Sequence, residues 1–381
     1  MKSIALTVVI VLGVLSGCSK NTSPVGPPPA GTPTPSSGTW SIQVVDSSGF
    51  VGSFAHLAVD TAGHVAISYL DNDTRAIRCA RLVNGKWVIN DVGDATGPYV
   101  SKGNNSIALK ADGTPVITFH KADVAYYYTS LNGGTWTTPV AIGWDQPAWA
   151  FLGSNAVGVD KASGEIYSVM SLDDAKGYAV LGYWHSSTSQ AVAIDGPTLG
   201  KTGTQVSLAV DDGGNVHVAY EYQTDGSSTA LLKYAKLSSG AWSYGIVDSM
   251  GDGGDNTSSL TSIATDQAGT PHIAYYRLND GYRYAHWNGS RWEISLIASY
   301  GTVGWNDQSI AVDNAGNPHV ALLMGYYKLV YAYRSGGTWV QEVVDPNTGY
   351  GCSIGVDGKG KVYIAYYDDN YHQLKLAVRT P

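Results

Sequence analysis

The chain has 381 residues, 44% of them hydrophobic and only 14% charged, with 46 Gly, 26 Tyr and 11 Trp. That is ample apolar matter for a large folded body, and it excludes a disordered chain. A formal charge of -8, from 23 Lys plus Arg against 31 Asp plus Glu, argues against a nucleic-acid partner, because neutralising phosphates needs a basic surface.

The N-terminal residues read as an address. Lys2 precedes the apolar run Ile4 to Leu15, too short to span a bilayer as a mature helix and of the length of a signal-peptide core. The run ends in Leu15-Ser16-Gly17-Cys18, which resembles the lipobox of bacterial lipoproteins. The resemblance implies cleavage before Cys18, acylation of Cys18, and a membrane as partner through that anchor. Ser19 in place of Asp implies sorting to the outer membrane or cell surface. Residues 19–37 hold six prolines and little to bury, so they form an extended tether, at most roughly 60 Å long at about 3.1 Å per residue.

From Gly38 onward one line is written seven times. Aligned on the Asp of "AVD", the copies place Asp60, Lys110, Asp160, Asp211, Asp266, Asp313 and Asp357 at one position, in steps of 50, 50, 51, 55, 47 and 44 residues. Such a recurrence marks one supersecondary unit stacked on copies of itself. In each copy an inner strand such as "SIAVD" is followed by a second such as "PHVALL" and a third such as "LVYAYR". A Gly-x-Trp hairpin then leads into a fourth such as "WVQEVVD". The pattern predicts an all-β protein over 38–381, a seven-bladed β-propeller of four-stranded antiparallel blades. The seventh copy stops after its third strand, "LKLAVR", and an orphan "GTWSIQVVD" stands at Gly38 to Asp46. The N-terminal strand is therefore expected to complete the last blade and close the ring.

Most recurring residues have structural readings. The inner-strand positions four and two before the aligned Asp are nearly always Ser, Ala or Gly, as crowding near an axis requires. The aligned Asp is expected to accept N–H groups of the turn that follows, and the Gly three residues on to supply its unusual dihedrals. His217, His272 and His319 share one strand position in successive copies and read as packing and hydrogen-bonding residues, since a catalytic base need not recur blade after blade. Cys79 and Cys352 fall in different layers and read as buried thiols. Asp248, Asp252 and Asp255, in "DSMGDGGDN", are a calcium candidate without the spacing of a recognised calcium loop. No resident metal or cofactor is expected.

Trp40, Trp87, Trp136, Trp242 and Trp339 follow a Gly by two residues, and Trp292 follows Gly289 by three. The context "GGTW" at 133–136 and 336–339 resembles the tail of the Asp-box of sialidase-like propellers. The Ser-x-Asp head is absent from every copy, and the third copy has no hairpin Trp. The resemblance covers 38–381 and implies the architecture. That superfamily holds hydrolases, lyases, lectins and plain scaffolds, so it implies no single activity.

Function is expected where the copies disagree, on the face that carries the blade-joining loops and the loops between second and third strands. His56 replaces Ser or Ala, His120 follows the second strand of the second copy, and His372 lies in the corresponding loop of the seventh. Asp71, Asp73, Asp368 and Asp369 share that tier. Such a set suits a metal or a general base; solvated loop residues are the alternative. The three arginines that grip a carboxylate in sialidases have no counterpart here, since the inner strands hold no Arg and only Arg75 and Arg277 suit this face. A lyase site, with a His or Tyr base and a neutralising Arg as in some polysaccharide-cleaving propellers, would draw on His120, Tyr276 and Arg277 as catalytic residues. Tyr99, Trp144, Trp149, Tyr300, Trp305 and Tyr350, in blade-joining loops, are ligand-binding candidates together with His56 and His372. Aromatic faces on rigid loops stack on sugar rings or anchor protein contacts; their structural alternative is to cap the blades. The reading is an envelope-anchored recognition module that binds a glycan or a partner protein on one face. A polysaccharide lyase or glycoside hydrolase is the first alternative, and a non-catalytic assembly scaffold the second.

Overall fold

A computed structural model describes residues 39–94, 105–121, 125–144, 154–173, 178–198, 202–223, 227, 229–252, 261–277, 280–299, 307–325, 328–349 and 351–381. Cys18 and the Pro-rich stretch lie outside them. The described residues form seven antiparallel sheets, each a meander from an inner to an outer strand. Blade 1, for example, runs Val51–Val59, Val65–Asp71, Ala76–Val83 and Lys86–Asp94. Inner strands touch their neighbours in succession, and Cys352–Val356 of blade 7 returns to Val51–Val59 of blade 1. The protein is a seven-bladed β-propeller.

The closing strand is the expected one. Trp40–Asp46 pairs antiparallel with Gln373–Arg379, Trp40 opposite Arg379 and Ile42 opposite Ala377, and so becomes the outer strand of blade 7. Blade 2 departs from the pattern: its outer strand is broken into Thr135–Trp136 and Val140–Ile142. Pro139, between the pieces, has no N–H to give a ladder.

Packing between blades is directional. The large inner-strand residues pack backwards, Leu57 on Tyr363, Leu376 and Val378 of blade 7 and Ile107 on Ile77 and Cys79 of blade 1. The small residues face forward and tie the ring. Ser353, Ser106, Ser207, Ser262 and Ser309 each accept, on Oγ, an inner-strand N–H of the next blade, from Leu57, Val157, Ile263, Ile310 and Ile354, at 2.9 to 3.2 Å. In blade 3 the small residue is Ala156, and Ser154 takes the N–H of Val206 at 2.9 Å instead.

Two further ties repeat. The hairpin Trp of one blade packs edge-on against a third-strand Tyr of the blade before it: Trp242 on Tyr183, Trp292 on Tyr234, Trp339 on Tyr284 and Trp40 on Tyr331, with centroids 5.1 to 5.3 Å apart and planes at 73 to 81°. Blade 3, without a hairpin Trp, supplies Trp184 from its third strand, 4.8 Å from Tyr128 of blade 2. Second-strand tyrosines also donate to a carboxylate of the preceding blade's outer strand: Tyr69 to Asp46, Tyr220 to Asp195, Tyr275 to Asp248 and Tyr366 to Asp345, at 2.5 to 2.9 Å.

The aligned Asp behaves as read from the sequence. Asp313 Oδ1 accepts the N–H of Ala315 at 2.9 Å and of Asn317 at 2.8 Å, and Gly316 holds the turn at φ 81°. Cys79 and Cys352 are buried free thiols.

Candidate functional site

The loop face does not assemble the set that the copy-to-copy departures suggested. His56 lies within the nine-residue inner strand of blade 1 rather than at its end, opposite Ser68, and its ring makes no hydrogen bond among the described residues. Burial pushes its ring down to about 4. His120 is buried against the edge of Tyr126, 5.1 Å away. His372 is exposed, with Nδ1 2.6 Å from the Tyr367 hydroxyl and its ring 4.5 Å from Phe50. No contact among the described residues links these three histidines, and no group of three His, Cys, Asp or Glu among them could hold a metal ion.

The nearby carboxylates serve their own loops. Asp71 caps the turn through Asp73 and Thr74 and pairs with Arg78, and Asp73 accepts the N–H of Phe50. Asp368 caps Asn370 and pairs with Lys375. Asp248 accepts from Tyr275 and stands 3.6 Å from Arg277; Asp255 lies outside the described residues.

The lyase trio is not brought together. Tyr276 is buried in the cluster between blades 5 and 6, edge-on to Tyr282, and Arg277 pairs with Asp248 and Asp280. His120 belongs to blade 2, three blades away round the ring. Sequence position alone gave these residues one face; copies 2 and 5 are not adjacent blades of the ring. Of the aromatic loop residues, Trp144 packs on the cluster between blades 2 and 3, as a cap does. Tyr99, Trp149, Tyr300, Trp305 and Tyr350 lie outside the described residues.

The opposite face, formed by the turns after the inner strands and the hairpins before the outer ones, carries a groove of about 840 Å³ between blades 4 and 5. Tyr244 and Lys236 of blade 4 line it, facing Trp287, Trp292, His272, His286 and Asp266 of blade 5. The blade 5 hairpin is set by Asn288, whose Oδ1 accepts the N–H groups of Ser290 and Arg291 at 3.0 Å, and by Gly289 at φ 97°. That turn pairs Trp287 with Trp292, rings 5.6 Å apart at 66°. His272 Nδ1 lies 2.6 Å from the Tyr284 hydroxyl, and the His286 ring stacks on Tyr284 at 5.6 Å. Burial lowers the pKa of His272, which favours the neutral imidazole. Burial opposes the charge on Asp266, but hydrogen bonds from Thr270, with His272 and Ala268, outweigh it and hold the carboxyl below its usual range. The groove therefore offers aromatic surface beside an ionised carboxylate, an ammonium and two imidazoles.

Solved structures with this architecture come from different activities. A protein described as Hadza microbial sialidase Hz136 is similar with a TM-score of 0.51 and 11% identity, over 80% of this chain and 73% of that one. The Aleuria aurantia lectin, described as a six-bladed propeller with a novel fucose recognition mode, is similar with a TM-score of 0.51 and 15% identity, over 78% of this chain and 98% of its own. SapL1 lectin, solved with α-methyl fucoside, has a TM-score of 0.51 and 13% identity, over 77% and 97%. At such identities the likeness is one of fold alone: a ring of β-blades shared by a sialidase and by lectins, whatever the blade number. No family model and no curated protein matches the sequence.

Proposed function

We propose that the protein is a carbohydrate-recognition module, held at the bacterial envelope by a lipidated Cys18 and the Pro-rich tether, which binds a glycan without cleaving it. The observation that carries the reading is the groove between blades 4 and 5. Its volume of about 840 Å³ falls within the usual range for ligand sites, and Trp287, Trp292 and Tyr244 supply the ring surface on which sugar C–H groups stack. Lys236, His286 and Asp266 supply hydrogen-bonding groups beside it. The lectins of similar fold are described by a fucose recognition mode and by a complex with α-methyl fucoside, which supports a sugar as ligand.

The test is electrophoresis of the purified protein through native gels cast with a panel of polysaccharides, stained for protein and for polymer. Retarded migration with intact polymer is expected. A cleared zone would establish cleavage in place of recognition, and free migration in every polymer would make a partner protein the ligand.

A further inference from the structure

We infer that the groove between blades 4 and 5 takes an uncharged pyranose-containing glycan and that Gly245 is the residue that opens it; this deepens the glycan-recognition reading and rests on it. Three other junctions are built alike but carry a side chain opposite the third-strand Tyr. Between blades 5 and 6, Tyr284 stands opposite Ser295, and Ser295 Oγ accepts the indole N–H of Trp339 at 3.1 Å. Between blades 6 and 7, Tyr331 stands opposite Glu342, whose Oε2 accepts the indole N–H of Trp40 at 3.2 Å while the carboxylate pairs with Arg379. Between blades 3 and 4, Tyr183 stands opposite Val192. Between blades 4 and 5, Tyr234 stands opposite Gly245, and a Cβ placed there would meet nothing within 4 Å. Among the described residues Trp292, in the place of Trp339 and Trp40, has no hydrogen-bond acceptor for its indole N–H, a state it shares with Trp87 and Trp136. Gly245 thus leaves open space where these three junctions carry a side chain.

A second departure lies on the facing wall. In blades 4 and 6 the turn Asp is tied off: Asn215 Nδ2 donates to Asp211 Oδ2 at 2.8 Å and Asn317 Nδ2 to Asp313 Oδ2 at 2.9 Å. The strand histidines, His217 and His319, add their Nε2 at 3.0 and 3.4 Å. In blade 5 Thr270 replaces the Asn, so no side-chain amide reaches Asp266, whose Oδ1 accepts the backbone N–H groups of Ala268 and Thr270 at 2.9 and 2.8 Å, and His272 Nε2 stands 3.7 Å off without a hydrogen-bond partner. His286 Nδ1 is likewise buried without a partner, and Lys236 is in no ion pair among the described residues.

These unmet groups are both donors and acceptors, and their formal charges balance, Lys236 against Asp266. Hydroxyl groups, each of which donates and accepts, satisfy such a set, and uncharged rings stack on the tryptophans. An acidic sugar would bring a carboxylate beside Asp266, where like charge is a cost that selects against it.

The experiment compares the native protein with Gly245→Ser and Gly245→Gln in gels containing neutral glucans, mannans or galactans and in gels containing uronate polymers. Gly245 has an ordinary φ and open space about it, so both variants are expected to fold, with melting temperatures checked alongside. The native protein should be retarded by at least one neutral polymer, and the Gln variant should weaken that retardation about tenfold or more. Retardation by uronate polymers alone, lost in the variants, would overturn the uncharged ligand and leave the groove. Retardation unchanged in both variants would overturn the groove and leave glycan recognition elsewhere on the ring. No retardation of the native protein by any polymer would overturn both.

Discussion

At position 56 a single side chain interrupts the serine ties that run round the axis. His56 stands where Ser106, Ser207 and Ser262 stand in other blades, and blades 1 and 2 are joined instead by Asn105, which accepts from Ser68 at 2.5 Å and donates to the Phe54 carbonyl at 3.0 Å. Burial holds the His56 pKa at about 4 in the fold, while an unfolded imidazole takes its proton at about 6.5. Below about pH 6.5 the unfolded chain therefore binds more protons, and stability drains away as pH falls towards 4, by roughly 3 kcal/mol in total from this group. His56→Ser should flatten that acid limb in urea titrations at pH 7 and 4.5, leaving the contribution of His217, His272 and His319, whose pKa values are also lowered by burial. Identical pH dependence in the two proteins would remove His56 from the account. At the seam between blades 7 and 1, Ser353→Ala strands the buried N–H of Leu57 and should cost about 1–3 kcal/mol at any pH, read as a lower urea midpoint with unchanged slope.

At the scale of strands, the hairpin tryptophans are clasps between blades, and Trp292 is both a clasp on Tyr234 and a wall of the groove. Trp339→Ala removes both the edge contact with Tyr284 and the hydrogen bond to Ser295 and should cost about 3 kcal/mol. Trp339→Phe keeps the contact and should cost about 1 kcal/mol; equal losses in the two variants would argue against the geometry. The strand order, the turn Asp and the Gly-x-Trp hairpins were legible because each follows from a period visible along the chain. What each Trp touches was not, since a period does not say which neighbour a face meets. Trp184 shows this: it does the work of the missing hairpin Trp from another strand. The groove escaped for a related reason. Gly245 and Thr270 are unremarkable in an outer strand and a turn, and acquire meaning only beside Tyr234 and Asp266, which lie on the face where departures from the repeat were not sought. His120, Tyr276 and Arg277 were grouped by shared strand position, which says nothing about distance round a ring.

For the whole molecule, closure rests on Trp40–Asp46. Removing residues 40–46 would strip the outer strand from blade 7, leave Tyr331 without Trp40 and Tyr69 without Asp46, and should lower the melting temperature by about 10 °C or more. A melting curve within a few degrees of the intact chain would mean that the ring holds without its clasp. The anchor is tested separately: Cys18→Ser should abolish incorporation of labelled fatty acid and release the protein from membranes, with sugar binding intact. The closing strand also imposes an order of events in synthesis. Ser41 must find Val378, 337 residues further along, so the strand made first is the last to be paired. During translation Ile42 and Val44, still 43% and 47% exposed in the finished ring, wait on an unpaired β segment, the kind of edge that neighbouring chains can capture. Long-range pairing of this kind is slow, so refolding should show a late, concentration-sensitive phase in which ring closure competes with exchange of this strand between molecules.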